Sequence, residues 1–344
     1  RSIYAKYSYY DICKSLLYNN LTQGEFLTDL ETLKTRLPKL LSQFVPSPDT
    51  VEYASQELKV KNIEIAITET TKHEINENTK FNELLPAMCV ALDLIPQNTQ
   101  GLTLDFDHVI NENEKWDSKK TYKYTNGYNP CFANIGECTI YYENKNGNSP
   151  AKFRQKESFT NCFKNLKDNN IYVSYVRADS ASYQKEVINV IEENQATFYI
   201  RNVSSQGFRD VCIAHQSWKK TTYNNEEIEV ASVRYTPFNG DKTYRVVVTR
   251  KQVVKDREEL FEEQKYQYYG IITNDNDKSE EEVIQFYNQR GHVSENYNKN
   301  LLNDFNIKHL PHMDLDTNTV YMGFMVVSGL LFEWIKKVAV ENKV

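Results

Sequence analysis

The chain has 344 residues, of which 40% are hydrophobic and 26% charged, a composition typical of a globular protein of about two or three domains. Its longest apolar stretch, Val320 to Phe332, is shorter than the roughly 20 residues that a membrane-spanning helix needs, so we expect a soluble cytoplasmic protein with no membrane partner. The net charge of -6 argues against a chain that is basic throughout, as many nucleic-acid-binding proteins are. The six cysteines form no CxxC pair, which favours buried thiols over disulfides or a zinc site.

The first hundred residues are predicted to form helices. Apolar residues recur at three- and four-residue spacing over residues 9–18, 22–41, 49–60 and 76–94. Ser47 and Pro48 stand where a third helix would begin, because serine caps a helix and proline fits its first turn. Two short helices joined by a tight turn would form a helix-turn-helix, which makes Ser47 and Thr50 candidate DNA contacts. The alternative is an ordinary capped helix in a bundle.

From residue 101 onward, strands alternate with helices. Strands are predicted over residues 102–107, 132–135, 138–143, 171–177 and 196–200, and helices over 157–166 and 180–193. This alternation is typical of an α/β sheet with several parallel strands. Strand-like runs between turns predict an antiparallel β insertion over residues 202–260. A strand over 266–273 and a long helix from 279 to about 304 then complete the α/β domain, which is divided into residues 101–201 and 261–344.

Two aspartates, Asp107 and Asp179, end predicted strands that would be neighbours in one sheet. Ligand crevices form at the carboxyl ends of such strands. With a third acid from the later helix, the carboxylates would bind two Mg²⁺ or Mn²⁺ ions, because hard cations prefer oxygen ligands. Two such ions can promote phosphodiester transfer. The alternative is a pair of solvated loop acids, since aspartates at strand ends are common.

Six segments together resemble the DDE transposases of bacterial insertion sequences. They are residues 104–107 (LDFD), 123–130 (KYTNGYNP), 143–149 (ENKNGNS), 177–183 (RADSASY), 198–201 (FYIR) and 287–291 (YNQRG). They are most similar to the cut-and-paste group, in which a ribonuclease-H-like domain carries a β insertion between the second and third acids. Each motif is modest alone, but their order and spacing, from about residue 9 to residue 334, are specific.

The resemblance implies a fold and a set of catalytic residues. The fold would be an α/β ribonuclease-H-like mixed sheet flanked by helices, with an antiparallel β insertion and an N-terminal all-helical domain, a candidate for DNA binding, over residues 1–100. Asp107 corresponds to the first catalytic acid, with Asp105 as the fallback and a further candidate metal ligand. Asp179 corresponds to the second acid. Two Mg²⁺ or Mn²⁺ ions per active site are implied as cofactors.

The third acid is expected in the family signature Tyr-x2-Arg-x3-Glu-x6-Lys, which Tyr287, Arg290 and Glu295 match with a departure. Four residues separate Arg290 from Glu295, whereas the signature has three, and Ser294 occupies the strict position. Glu295 is nevertheless the best candidate, because serine cannot bind a metal with the same strength.

The lysine of the signature is also displaced, since Leu302 stands where it would fall. Lys299, four residues after Glu295 and therefore on the same helix face, is the candidate replacement.

The resemblance further implies DNA contacts. Tyr287 and Arg290 correspond to residues that contact DNA phosphate, for which the planar fork of arginine is suited. Trp218 lies in the predicted β insertion, where related enzymes place an aromatic ring against a flipped base. The alternatives are a helix surface packed on the sheet and a tryptophan of an ordinary core.

We therefore expect a transposase that cuts the inverted-repeat ends of its own element and joins them to target DNA. The resemblance implies a hairpin at the excised end, a homodimer in a synaptic complex, and a bacterial, nucleoid-associated location. The shifted glutamate and the missing lysine leave two alternatives open. One is a transposase-derived DNA-binding protein without catalysis, and the other is a metal-dependent nuclease without strand transfer.

Overall fold

A mixed sheet of eleven strands is the centre of the computed structural model, which describes residues 5–41, 45–223, 226–238, 240, 242–252, 266–291 and 296–342. The strands are β1 (Ile63–Ala66), β2 (Lys72–Asn76), β3 (Leu102–His108), β4 (Asn111–Glu112), β5 (Lys119–Lys120), β6 (Asn126–Tyr128), β7 (Cys131–Ile135), β8 (Cys138–Lys145), β9 (Val173–Ala178), β10 (Thr197–Arg201), β11 (Lys219–Tyr223), β12 (Glu226–Tyr235), β13 (Tyr244–Gln252) and β14 (Tyr266–Thr273). The order in the large sheet is β1-β2-β8-β7-β3-β9-β10-β14-β13-β12-β11, and β4, β6 and β5 form a small second sheet.

Ten helices are found among the same described residues. They are α1 (Tyr9–Leu21), α2 (Leu30–Leu41), α3 (Pro48–Leu58), α4 (Thr79–Ala91), α5 (Gln155–Asp168), α6 (Lys185–Glu193), α7 (Gln206–Ala214), α8 (Glu280–Arg290), α9 (Asn296–Asn303) and α10 (Leu315–Glu341). None of them combines the length and the apolar character that would let it cross a bilayer. The helix expected from residue 279 to about 304 is two helices, α8 and α9, in the described part of the chain.

The centre of the sheet has the predicted ribonuclease-H-like arrangement. Strands β8, β7 and β3 are joined in antiparallel pairs, and β9 and β10 run parallel to β3. The parallel pairs are connected through α5 and α6, as sheets of this type require. As a result, β3 and β9 present their carboxyl ends at the same edge of the sheet.

The antiparallel strands expected after residue 201 extend this sheet. Strand β14 pairs antiparallel with β10, and β13, β12 and β11 follow it in antiparallel order. Helix α7 lies within this segment and has no counterpart among the predicted elements. It begins at its cap Ser205, whose side chain accepts a hydrogen bond from Phe208 N, and it buries Phe208 and Cys212. A nine-residue helix shows too few turns for its periodicity to stand out from neighbouring strands.

The first hundred residues are largely helical, as predicted, but they also contain a hairpin that was not predicted. Strands β1 and β2 form this hairpin, and β2 pairs with β8 at the edge of the large sheet. The helix expected from residue 76 begins only at Thr79, because Asn76 is the last residue of β2. The domain boundaries at residues 100, 201 and 260 stay predictions.

The predicted start of α3 is confirmed. The hydroxyl of Ser47 accepts a hydrogen bond from Thr50 N at 3.4 Å, and Pro48 occupies the first turn. The Ser47 and Thr50 hydroxyls lie 3.0 Å apart and bond to each other. Val51 and Ala54 of this helix are fully buried in the hydrophobic core that also contains the apolar face of α10. A DNA contact at Ser47 and Thr50 stays a prediction.

Candidate active site

Asp107 and Asp179 lie at adjacent strand ends. In the parallel pairing of β3 with β9, Asp105 stands opposite Arg177 and Phe106 opposite Ala178. The next positions along the two strands are Asp107 and Asp179, and neighbouring strands are about 4.8 Å apart. Two acids 72 positions apart in the sequence are therefore brought to one edge of the sheet, as the strand pattern predicted.

Asp105 is engaged by an arginine. Arg177 Nε and Nη2 donate to the two carboxylate oxygens of Asp105, each at 2.7 Å, and the side chains are 5% and 1% exposed. Burial raises the pKa of Asp105, while the Arg177 guanidinium opposes that rise. The third contact of Arg177 is from Nη1 to the carbonyl oxygen of Phe286 at 2.8 Å. Through these contacts, which we call the Asp105–Arg177 clamp, Arg177 links β3, β9 and α8. Both carboxylate oxygens of Asp105 accept hydrogen bonds from Arg177.

Asp107 faces a different arginine. Arg290 Nη1 lies 3.1 Å from Asp107 Oδ1, and the two side chains are 12% and 13% exposed. The positive charge of Arg290 also acts on Asp179, where it opposes the rise in pKa that burial causes. Asp179 further accepts a hydrogen bond from Ala181 N at 3.0 Å, which orients one of its oxygens. The guanidinium of Arg290, on α8, therefore forms an ion pair with Asp107 and also stabilises the charged form of Asp179.

Two further residues of the family signature, Tyr287 and the candidate Lys299, lie on different helices. Tyr287 is buried, and its hydroxyl donates to the carbonyl oxygen of Ala178 at 3.3 Å, which holds α8 against β9. Lys299 is exposed on α9. Glu295 lies outside the described residues, so its position relative to Asp107 and Asp179 stays a prediction.

Trp218 lies just before β11 and is partly buried. Its Nε1 donates to the carbonyl oxygen of His215 at 2.9 Å, and the guanidinium carbon of Arg250 lies 4.2 Å from the centre of its ring. The Tyr268 ring is 5.9 Å away. Trp218 therefore packs within an aromatic and basic cluster of the antiparallel strands, and base stacking by its ring stays a prediction.

One group of metal-ligand side chains lies close together among the described residues. The ligand atoms of His108, Cys131 and Glu143 are all within 4.8 Å of one another. However, the fully buried Lys145 Nζ lies 3.1 Å from Glu143 Oε1 and 3.2 Å from His108 Nε2. An ammonium group therefore already supplies the positive charge that Glu143 needs. Burial and Lys145 also lower the pKa of His108, which keeps its ring neutral. This arrangement does not fit a divalent ion.

Arg177 and Lys145 were not among the predicted site residues, although both stand within the motifs at residues 177–183 and 143–149. A signal existed for Arg177. It precedes Asp179 by two residues, as Asp105 precedes Asp107, so on parallel strands the two side chains share one face. For Lys145 no comparable signal exists, because its partners come from several different segments.

Comparison with known proteins gives one extensive match. A family model described as transposase DDE domain group 1 matches residues 2–344. A piggyBac transposase in a synaptic complex with hairpin DNA is similar in structure, with a TM-score of 0.42 and 10% identity over 98% of this chain and 76% of that chain. The Mos1 strand transfer complex has a TM-score of 0.22 and 16% identity over 58% and 59% of the respective chains. No curated protein sequence matches the chain. The two structural likenesses are distant, whereas the family model covers nearly the whole chain.

Proposed function

The chain belongs to the transposase DDE domain group 1 family, and we propose that it binds the inverted-repeat ends of an insertion sequence and catalyses metal-dependent DNA cleavage and strand transfer. The observation that carries this proposal is the placement of Asp107 and Asp179 at adjacent carboxyl ends of β3 and β9. Hydrolysis or transfer of a phosphodiester needs negative ligands gathered in this way, because they must hold cations against the substrate.

The residues at this edge fit divalent cations. Both carboxylates lie near the Arg290 guanidinium, and a divalent cation bound there would have to take the place of that charge beside Asp107. We propose Asp107, Asp179 and Glu295 as the ligands, with Glu295 chosen because it is the acid next to the strict signature position, which Ser294 occupies. Asp105 is a weaker candidate, since Arg177 occupies both of its oxygens. The chemistry that bound Mg²⁺ or Mn²⁺ supplies in such sites is activation of an attacking oxygen and stabilisation of the leaving oxygen.

The proposed reaction alternates hydrolysis with transfer. Water attacks one phosphodiester at each end of the element and releases a 3′ hydroxyl, which then attacks the opposite strand, expels the flanking DNA and leaves a hairpin on the element. A second water opens the hairpin and regenerates the 3′ hydroxyl, which finally attacks a phosphodiester of the target DNA and displaces a 3′ oxygen of the target. In this proposal Arg290, which lies beside Asp107, contacts DNA phosphate, and a homodimer holds the two ends together. The hairpin and the dimer are part of the proposal.

The test uses the full chain, a labelled duplex containing the inverted repeat that flanks the gene, and Mg²⁺ or Mn²⁺. We expect the wild type to give cleaved and joined products. Cleavage should fall at least about a hundredfold in Asp107→Asn, Asp179→Asn and Glu295→Gln, because each removes a metal ligand, and substitution of residues that merely support such ligands already lowers activity about 10- to 100-fold. The matched control is Asp168→Asn, an exposed acid on α5 that pairs with Lys164. It should cleave like the wild type.

The same experiment separates the alternatives. DNA binding without cleavage, unchanged by the Asp107 and Asp179 substitutions, would show a DNA-binding protein that has lost catalysis. Cleavage without joined products would show a nuclease. Either result overturns strand transfer as the function of this chain.

A further inference from the structure

A cleft beside the proposed active site contains three arginines that the family signature does not include. It has a volume of about 880 Å³ and is lined by the end of β10, by α7, by the last part of β13 and by the first part of β14. Ser180, which directly follows Asp179, is part of its wall. The cleft is therefore continuous with the edge of the sheet where the acids lie.

Two of these arginines lie close to aromatic rings. The Arg201 guanidinium lies 4.5 Å from the centre of the Tyr269 ring, and that of Arg250 lies 4.2 Å from both the Trp218 and Tyr266 rings. A guanidinium stacked on a ring keeps the N–H groups of its edge available to acceptors in its own plane. A contact with a ring therefore does not by itself use up the hydrogen-bond donors of an arginine.

The third arginine, Arg209 on α7, also has unused hydrogen-bonding capacity. Its Nη2 donates to Gln206 Oε1 at 3.0 Å, whereas its Nε has no hydrogen-bond partner among the described residues. Within that part of the chain, neither Arg201 nor Arg209 has a carboxylate within ion-pair distance, and Arg250 pairs with Glu229 through Nε only. No acidic residue lines the cleft within the described part of the chain.

Arginines used for structure in this protein look different. Arg245 donates to the carbonyl oxygens of Asp275 and Lys278 and to the Ser232 hydroxyl, and it pairs with Glu280. Its donors are thus consumed inside the fold. Among the described residues, the three cleft arginines instead leave a net positive, donor-rich cavity, and a polyanion whose charges are spaced along a chain is the matching ligand.

We propose that this arginine cleft binds the phosphodiester backbone of DNA next to the cleaved phosphate, with Arg201, Arg209 and Arg250 as the contacts. This inference rests on the proposed function, because it places the same substrate across both sites. The volume exceeds that of a single phosphate ion, and the Tyr266 and Tyr269 rings offer flat surfaces to sugars and bases.

The experiment measures DNA binding without any cleavage. Fluorescence anisotropy follows a fluorescein-labelled duplex of about 30 base pairs and arbitrary sequence, with EDTA present and NaCl varied around 0.1 M. Arg201→Gln, Arg209→Gln and Arg250→Gln should each weaken binding about tenfold, as expected for a charge-assisted hydrogen bond. Each should also lower the slope of log K against log salt by about one, because one phosphate contact is lost.

Two controls accompany these variants. Arg234→Gln removes an exposed arginine of β12 that lies outside the cleft and donates to Asn276 Oδ1, so its affinity and salt slope should equal those of the wild type. Arg201→Lys and Arg250→Lys keep the charge and should recover most of the salt slope, which separates a lost phosphate contact from a damaged fold.

Three results would overturn the inference. The first is wild-type affinity and slope in all three glutamine variants, and the second is no binding of the duplex by the wild-type chain. The third is full displacement of the duplex by millimolar inorganic phosphate, which would indicate a small-anion site. EDTA removes metal from this binding experiment, so its outcome does not depend on catalysis. A chain that fails to cleave DNA in the separate test with Mg²⁺ or Mn²⁺ but shows the expected changes in binding would overturn the proposed function alone.

Discussion

Arg290 Nη1 lies 3.1 Å from Asp107 Oδ1, with both side chains close to nine-tenths buried. The same guanidinium acts on Asp179, so the two acids proposed to bind metal share one protein cation. Its charge stabilises the two carboxylates near each other. A divalent cation at this place would have to compete with that charge, and DNA phosphate offers Arg290 an alternative partner.

Replacement of Arg290 by glutamine should therefore strengthen metal binding in the absence of DNA. Without metal, we expect the variant to lose about 3 kcal/mol of unfolding free energy, since a largely buried charge loses its partner. Addition of Mn²⁺ should then raise its Tm by more than it raises the Tm of the wild type, because stabilisation grows with ligand affinity. Thermal unfolding with and without Mn²⁺ measures both effects, and Arg234→Gln is the control. Equal Tm gains in Arg290→Gln and wild type would contradict this prediction.

The Asp105–Arg177 clamp makes a second prediction. Arg177→Met should cost about 3–5 kcal/mol of unfolding free energy, because it leaves a buried carboxylate without its partner. Asp105→Leu in the same chain should restore much of this loss, since no unpaired charge then remains. Urea unfolding of the wild type, both single variants and the double variant gives the coupling energy. If the two losses simply add, the clamp is not an energetic unit.

Gly147, the glycine of the motif at residues 143–149, lies where the neighbouring backbone leaves no room for a side chain. A Cβ at this position would lie 2.1 Å from Lys119 O and 2.6 Å from Gly127 O, so the backbone of the small sheet passes too close for any side chain. Gly147→Ala should cost about 3 kcal/mol, the upper range for overpacking. The matched control is Gly136→Ala, where φ is +59° but nothing lies within 4 Å, and it should cost only about 1 kcal/mol. Urea unfolding that gives the two variants the same loss would refute the close-approach argument.

A pair of glutamates predicts a pH dependence of stability. Burial, together with the Glu137 carboxylate, raises the pKa of Glu333 from 4.5 to about 7, against the opposing effect of Lys336. Between these two pH values the folded chain keeps a proton that the unfolded chain has released, so stability falls as pH rises. Over this range the wild type should lose on the order of 1 kcal/mol relative to Glu333→Gln, a value reduced for partial solvent screening. Urea unfolding at several pH values measures the difference in unfolding free energy between the wild type and Glu333→Gln. The corresponding difference between the wild type and Glu193→Gln, a control at an exposed residue, should not change with pH over this range.

The strand pattern, read locally, determined much of the proposed active site. Alternation of apolar and polar residues over a few positions is enough to indicate a strand, so the amino-acid sequence alone places Asp107 and Asp179 at strand ends. The cap at Ser47 was equally local. The β1–β2 hairpin and α7 were not predicted, because each is too short to show a clear apolar periodicity. The hairpin is stabilised by pairing with β8, and α7 by packing on the core.

The amino-acid sequence by itself determined the family, the two strand-end acids and a net charge of -6. Only the tertiary structure decided how that charge is arranged: Arg177 neutralises Asp105, Arg290 faces Asp107, and Arg201 and Arg250 open onto a cleft without acids among the described residues. The physical reason is distance. Electrostatic interaction depends on separations of a few ångströms, and strand register brings together charges that lie dozens of residues apart in the chain.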